Sequence, residues 1–145
     1  MYKKILLAYD GSEAGQRALL DCEELGQWSK AELFLIAVMP PAISPMDGET
    51  WEFNTRSDEQ ERSHYQSTLD AGVRRLREAG LNAQGEVVMG GSVDEIVRAA
   101  KRVPADLIIV GHKHQSSLAQ RWWRGSVSKS LIEQAPCSVL VVITP

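Results

Sequence analysis

Five short apolar runs alternate along the whole chain with stretches of helical periodicity, and few folds accept that order. The strand signals are Ile5 to Tyr9, Leu33 to Val38, Leu81 to Met89, Leu107 to Val110 and Val139 to Ile143. Between the first two, Ala14, Ala18, Leu19, Cys22 and Leu25 recur at helical spacing. Tyr65, Leu69, Val73 and Leu76 follow one helical face up to Gly80, Ile96 to Ala100 form a third helix before Pro104, and Ser126 to Gln134 a fourth. Near-continuous apolar runs are the mark of strands covered on both faces, which antiparallel hairpins rarely supply. Strict alternation therefore predicts right-handed crossovers, a parallel sheet and helices on both sides, the doubly wound α/β class. Gln84 and Glu86 interrupt the third run and mark it as an edge strand.

The connections carry their own signals. Asp10-Gly11-Ser12 stops the first strand and opens the first helix, and Met39-Pro40-Pro41 stops the second because proline cannot donate to a ladder. Ser57-Asp58-Glu59-Gln60 and Ser92-Val93-Asp94-Glu95 both have capping-box spacing and predict helix starts. From Pro40 to Arg56 three prolines and Gly48, with Ile43, Trp51 and Phe53 as the only large anchors, predict a long surface loop that lids a ligand, meets a partner or is poorly ordered.

With 145 residues the chain suits one domain spanning 1–145, large enough to bury about 70% of the surface its unfolded form exposes. The apolar stretch at the N-terminus is too short for a signal-peptide core, and no run approaches the roughly 20 apolar residues that cross a bilayer, so the expected setting is the cytoplasm without membrane insertion. Cys22 and Cys137 stand alone, with no zinc or disulfide spacing, and read as buried thiols. A formal net charge of -3 argues against a nucleic-acid partner.

Against that acidic background, residues 107–132 contain Lys113, Arg121, Arg124 and Lys129 and no acid. The fourth strand leads to Gly111, a basic loop follows, and Gly125-Ser126 opens the last helix. A helix start offers unpaired N–H groups and a positive dipole end, and a glycine lets an oxyanion come close to the backbone, so the layout is that of an anion site. In a doubly wound sheet a ligand lies beyond the carboxyl ends of the strands where strand order reverses, which brings in the loops after Ala8, Val38 and Val110. Asp10 suits a ribose hydroxyl or a phosphate-bound metal; it equally suits capping of the first helix or its turn, and the two uses are compatible.

These segments resemble the universal stress protein family along the full chain. The resemblance rests on Tyr2-Lys3-Lys4-Ile5-Leu6-Leu7-Ala8-Tyr9-Asp10-Gly11-Ser12-Glu13, on Ala105 to Gly111, on Gly125-Ser126-Val127, and on Ala135-Pro136-Cys137-Ser138 with the final apolar strand. It implies a Rossmann-like five-stranded parallel sheet of order 3-2-1-4-5 with four helices, of the adenine nucleotide hydrolase-like type. It also implies homodimers paired through the last strand at Val139, Leu140, Val141, Val142 and Ile143, and ATP or AMP binding in one branch, with Mg2+ alongside ATP. By residue it places Ala8 beside the nucleoside, Val38 backbone at adenine, Asp10 and Gly111 at ribose, and Gly125, Ser126 and Val127 at phosphate, where Lys113, His114 and Arg124 would add charge or donors.

The chain departs from that branch at one point. The nucleotide-binding pattern is Gly, two residues, Gly, nine residues, then Gly and Ser or Thr. Here His114 stands at the second glycine, and ten residues, Gln115 to Arg124, precede Gly125. A side chain stands where backbone would meet phosphate, and at positive φ histidine pays for the conformation.

The remaining signals read more plainly. His112 and His114 lack the third and fourth ligands of a metal site and read as loop residues. Trp122-Trp123 between Arg121 and Arg124 offers a stacking surface or a partner contact, or packs beneath its loop. No nucleophile elbow, Walker-type sequence or paired acid and base appears, which leaves at most slow ATP hydrolysis or phosphotransfer. The function expected is a homodimeric stress-response module that binds an adenine nucleotide; the alternative is a nucleotide-independent protein-interaction module of the same family.

Overall fold

In the computed structural model, residues 1–41, 51–113 and 127–145 are described, those at 51–58 by backbone alone. Five strands form one parallel sheet: β1 (Lys4–Ala8), β2 (Glu32–Met39), β3 (Ala83–Met89), β4 (Leu107–Lys113) and β5 (Ser138–Thr144), in the order β3-β2-β1-β4-β5. The helices are α1 (Glu13–Ser29), α2 (Trp51–Glu78), α3 (Ser92–Arg102) and α4, described over 127–134.

The sheet is buried on both faces because successive side chains point opposite ways. Ile5, Leu7, Leu33, Leu35 and Ile109 pack with Ala18, Leu19 and Cys22 of α1 and Leu69, Val73 and Leu76 of α2. Leu6, Ile36, Ile108 and Val110 pack on the other side with Ile96, Ala99 and Ala100 of α3 and Leu131 of α4. At roughly 1.5–3 kcal/mol per fully buried aliphatic side chain, these two layers supply the bulk of the driving force.

Three of the boundaries that differ from the sequence reading change how the loops are read. α2 starts at Trp51, so the loop expected to reach Arg56 stops short of it. No glycine or proline lies between Trp51 and Ala71, and once a helix exists each added residue gains a hydrogen bond at little cost; Ser57 is therefore interior to the helix and not its start. In α3 the N-cap is Gly91, with no side-chain cap, and Ser92 is already helical. Finally, β4 does not end at Val110. Gly111, His112 and Lys113 continue it in register with Val142, Ile143 and Thr144. The edge position of β3 is as its polar residues suggested.

Candidate functional site

Strand order reverses between β1 and β4, whose register pairs Ala8 with Val110, and a cleft opens at their carboxyl ends. It has a volume of about 530 Å³ and is walled by Ala8, Tyr9 and Asp10 after β1, Val38 and Pro40 at β2, and Val110, Gly111 and His112 on β4. Tyr65 of α2, Gly15 of α1, Ser92 and Ile96 of α3, and Val127 and Ser128 of α4 complete it. The size suits a small organic ligand.

Asp10 is held by the turn it helps to build. Its Oδ1 accepts from the Ser12 N–H at 2.9 Å and the Ser12 hydroxyl at 2.6 Å. Ser12 is the N-cap of α1, its oxygen accepting from the Gly15 N–H at 3.1 Å. The capping reading and the cleft position of Asp10 thus both hold. Gly11 between them has φ +79°, a left-handed conformation that glycine adopts without penalty. The second oxygen of Asp10 receives no hydrogen bond from a described residue, and among those residues Asp10 is the one carboxylate on the cleft wall.

Gly111 shows why β4 needs a residue without a side chain here. A Cβ at this position would fall on the Ala14 carbonyl of α1, backbone that cannot turn aside. The close contact brings the start of α1 down onto β4 and closes one wall of the cleft.

Strand alternation then separates two neighbouring basic residues. His112 faces the cleft, whereas Lys113 is directed to α1, where its Nζ lies 3.4 Å from Glu13 Oε2. Of the residues assigned from the sequence, the cleft brings together Ala8, Asp10, Val38, Gly111 and Val127 and leaves Lys113 outside. His114, Arg124, Gly125 and Ser126 lie outside the described residues, as do Trp122 and Trp123. Tyr9, Gly15, Ile36, Pro40, Tyr65, Ser92, Ile96, Val110, His112 and Ser128 are wall residues that the sequence reading did not assign. Burial, then the charge of Asp10, raises the Tyr9 phenol above its ordinary range; burial, then Glu61 and Asp10, does the same to Tyr65. A phenol is protonated at neutral pH without any shift, and each can donate or accept.

A smaller hollow of about 350 Å³ lies between β2, β3 and α3, with the Glu86–Arg102 ion pair at its rim. It has none of the strand-end loops.

Fold and cleft together define a doubly wound α/β domain with its main strand-end cleft at the reversal point of the sheet. Residues 1–142 match the family model described as the universal stress protein family, and the chain belongs to that family. A universal stress protein of Methanocaldococcus jannaschii is 31% identical over 149 residues, covering 100% of this chain and 84% of the relative. Among solved structures, universal stress protein UspA from Lactobacillus plantarum superposes with a TM-score of 0.81 at 22% identity, covering 97% of both chains. A universal stress protein family member from Arabidopsis thaliana, solved with AMP bound, superposes with a TM-score of 0.66 at 21% identity, covering 99% of this chain and 92% of that one.

Proposed function

We propose that this protein is a cytoplasmic, homodimeric stress-response module that binds an adenine nucleotide in the strand-end cleft and signals through shape and partners. The observation that carries the reading is the convergence of Asp10, Val38 backbone, Gly111 and Val127 on one cleft of about 530 Å³. Adenine would lie against Val38 and ribose against Asp10, and the phosphates would reach toward α4, where the sequence places Gly125 and Ser126. AMP in the Arabidopsis relative supports the ligand class. With one carboxylate on the described wall, Mg2+ would arrive with a triphosphate rather than be held beforehand.

The two sheet edges differ in a way that supports pairing. β3 presents Gln84 and Glu86, the latter bound to Arg102, while β5 leaves Leu140 37% and Ile143 62% exposed. Charges defend an edge strand and apolar residues invite a second chain, so Val139 to Ile143 is the proposed dimer edge.

Calorimetry with AMP, ADP and ATP, the last with magnesium, tests the ligand. Heat saturating at one nucleotide per chain supports the reading; none at millimolar nucleotide overturns it. The nucleotide-independent alternative is favoured by His114 in place of glycine, and native mass spectrometry of freshly purified protein separates the two by showing retained nucleotide or none.

A further inference from the structure

Tyr65 forms the α2 wall of the cleft, facing the same space as Asp10 although 55 residues separate them in the chain. Its ring is half-buried and packed on the core layer that contains Tyr9 and Leu69, so the phenol is delivered to the cleft by a rigid helix rather than a loop. The His64 ring meets it edge-on at 6.3 Å.

Asp10 by itself is a limited reader of a sugar. A carboxylate only accepts, and Oδ1 already takes two hydrogen bonds from Ser12. One oxygen remains for a ligand hydroxyl. A vicinal diol presents a second hydroxyl beside the first, and a group that can donate or accept is the natural partner for it.

We propose that Asp10 and Tyr65 form a diol-reading pair, so that the cleft selects nucleosides with both ribose hydroxyls over 2′- or 3′-deoxy analogues. The proposal rests on the nucleotide reading above and makes it more specific. A site that hydrogen-bonds a ligand hydroxyl penalises the analogue lacking it, because its own polar group is left desolvated and unpaired.

The test is calorimetric binding of AMP, 2′-deoxy-AMP and 3′-deoxy-AMP to the wild type and to Tyr65→Phe, which keeps the ring and removes only the hydroxyl. For the wild type, each deoxy analogue is expected to bind about tenfold more weakly than AMP, the worth of one hydrogen bond. In Tyr65→Phe, AMP binding weakens by about the same factor, and the penalty for one deoxy analogue disappears while the penalty for the other, read by Asp10, persists. No deoxy penalty in the wild type overturns the pair without recourse to any variant. Equal weakening of all three ligands in Tyr65→Phe, or both penalties unchanged, also overturns it. Failure of all three to bind the wild type defeats the nucleotide reading, and the pair with it.

Discussion

Asp10 and Ser12 are locked together through a single carboxylate oxygen, which accepts from both the backbone and the hydroxyl of Ser12. Asp10 therefore shapes the turn and faces the cleft at once. The two roles separate by substitution. Ser12→Ala removes the N-cap of α1 and should lower stability by about 1 kcal/mol. Asp10→Asn keeps an accepting oxygen for Ser12 and should cost less than that, while weakening nucleotide binding at least tenfold through loss of a charged acceptor. Urea unfolding and calorimetry on the two variants check the split.

Gly111→Ala should be far more damaging than a change of one methyl suggests. The new Cβ meets backbone of α1 rather than a movable side chain, so α1 and β4 must part, at a cost of about 1–3 kcal/mol. Denaturant midpoints at unchanged slope are the measurement.

Cys22 is fully buried, and burial, with a smaller contribution from the charge of Glu23, pushes its thiol from 9.0 up to about 12. Because the folded value is raised, the unfolded chain loses the proton first. The contribution to stability is complete below about 9 and is lost as pH climbs toward about 12, at up to about 1.4 kcal/mol per pH unit. Melting temperature should fall over that window, less steeply in Cys22→Ala. At neutral pH a thiol reagent should modify half-buried Cys137 and leave Cys22 untouched until the protein unfolds.

Ile143→Lys should convert the proposed dimer to monomers. Ile143 is 62% exposed on β5, so a lysine there costs the single chain little, while two like charges brought together across a symmetric edge repel. Sedimentation velocity gives the stoichiometry, and a variant that stays dimeric places the contact elsewhere.

The sheet was legible because runs such as Ile5 to Tyr9 and Leu33 to Val38 are apolar on consecutive positions, which is a local signal of burial on two faces. Residues 51–56 were misassigned because the prolines and Gly48 before them dominated a stretch that itself contains no helix breaker. The end of β4 was misplaced for a different reason. Gly111-His112-Lys113 looks like a turn from within, and what makes it strand is pairing with β5, a contact some thirty residues away. Strand geometry then sends Lys113 to Glu13 and His112 into the cleft, a division that no loop reading of the two residues contains. Asp10, Val38 and Gly111 were found from strand ends, where the signal is local. Tyr65 carries none: it belongs to the cleft because α2 packs across β2 and β3.

Since β4 runs on to Lys113, Gly111 and His112 are bonded through the ladder to Val142 and Ile143. The floor of the cleft and the edge strand β5 are thus a single residue-to-residue coupling apart, with no intervening helix or loop. If the proposed nucleotide shifts the end of β4, the proposed dimer edge on β5 would move by the same step.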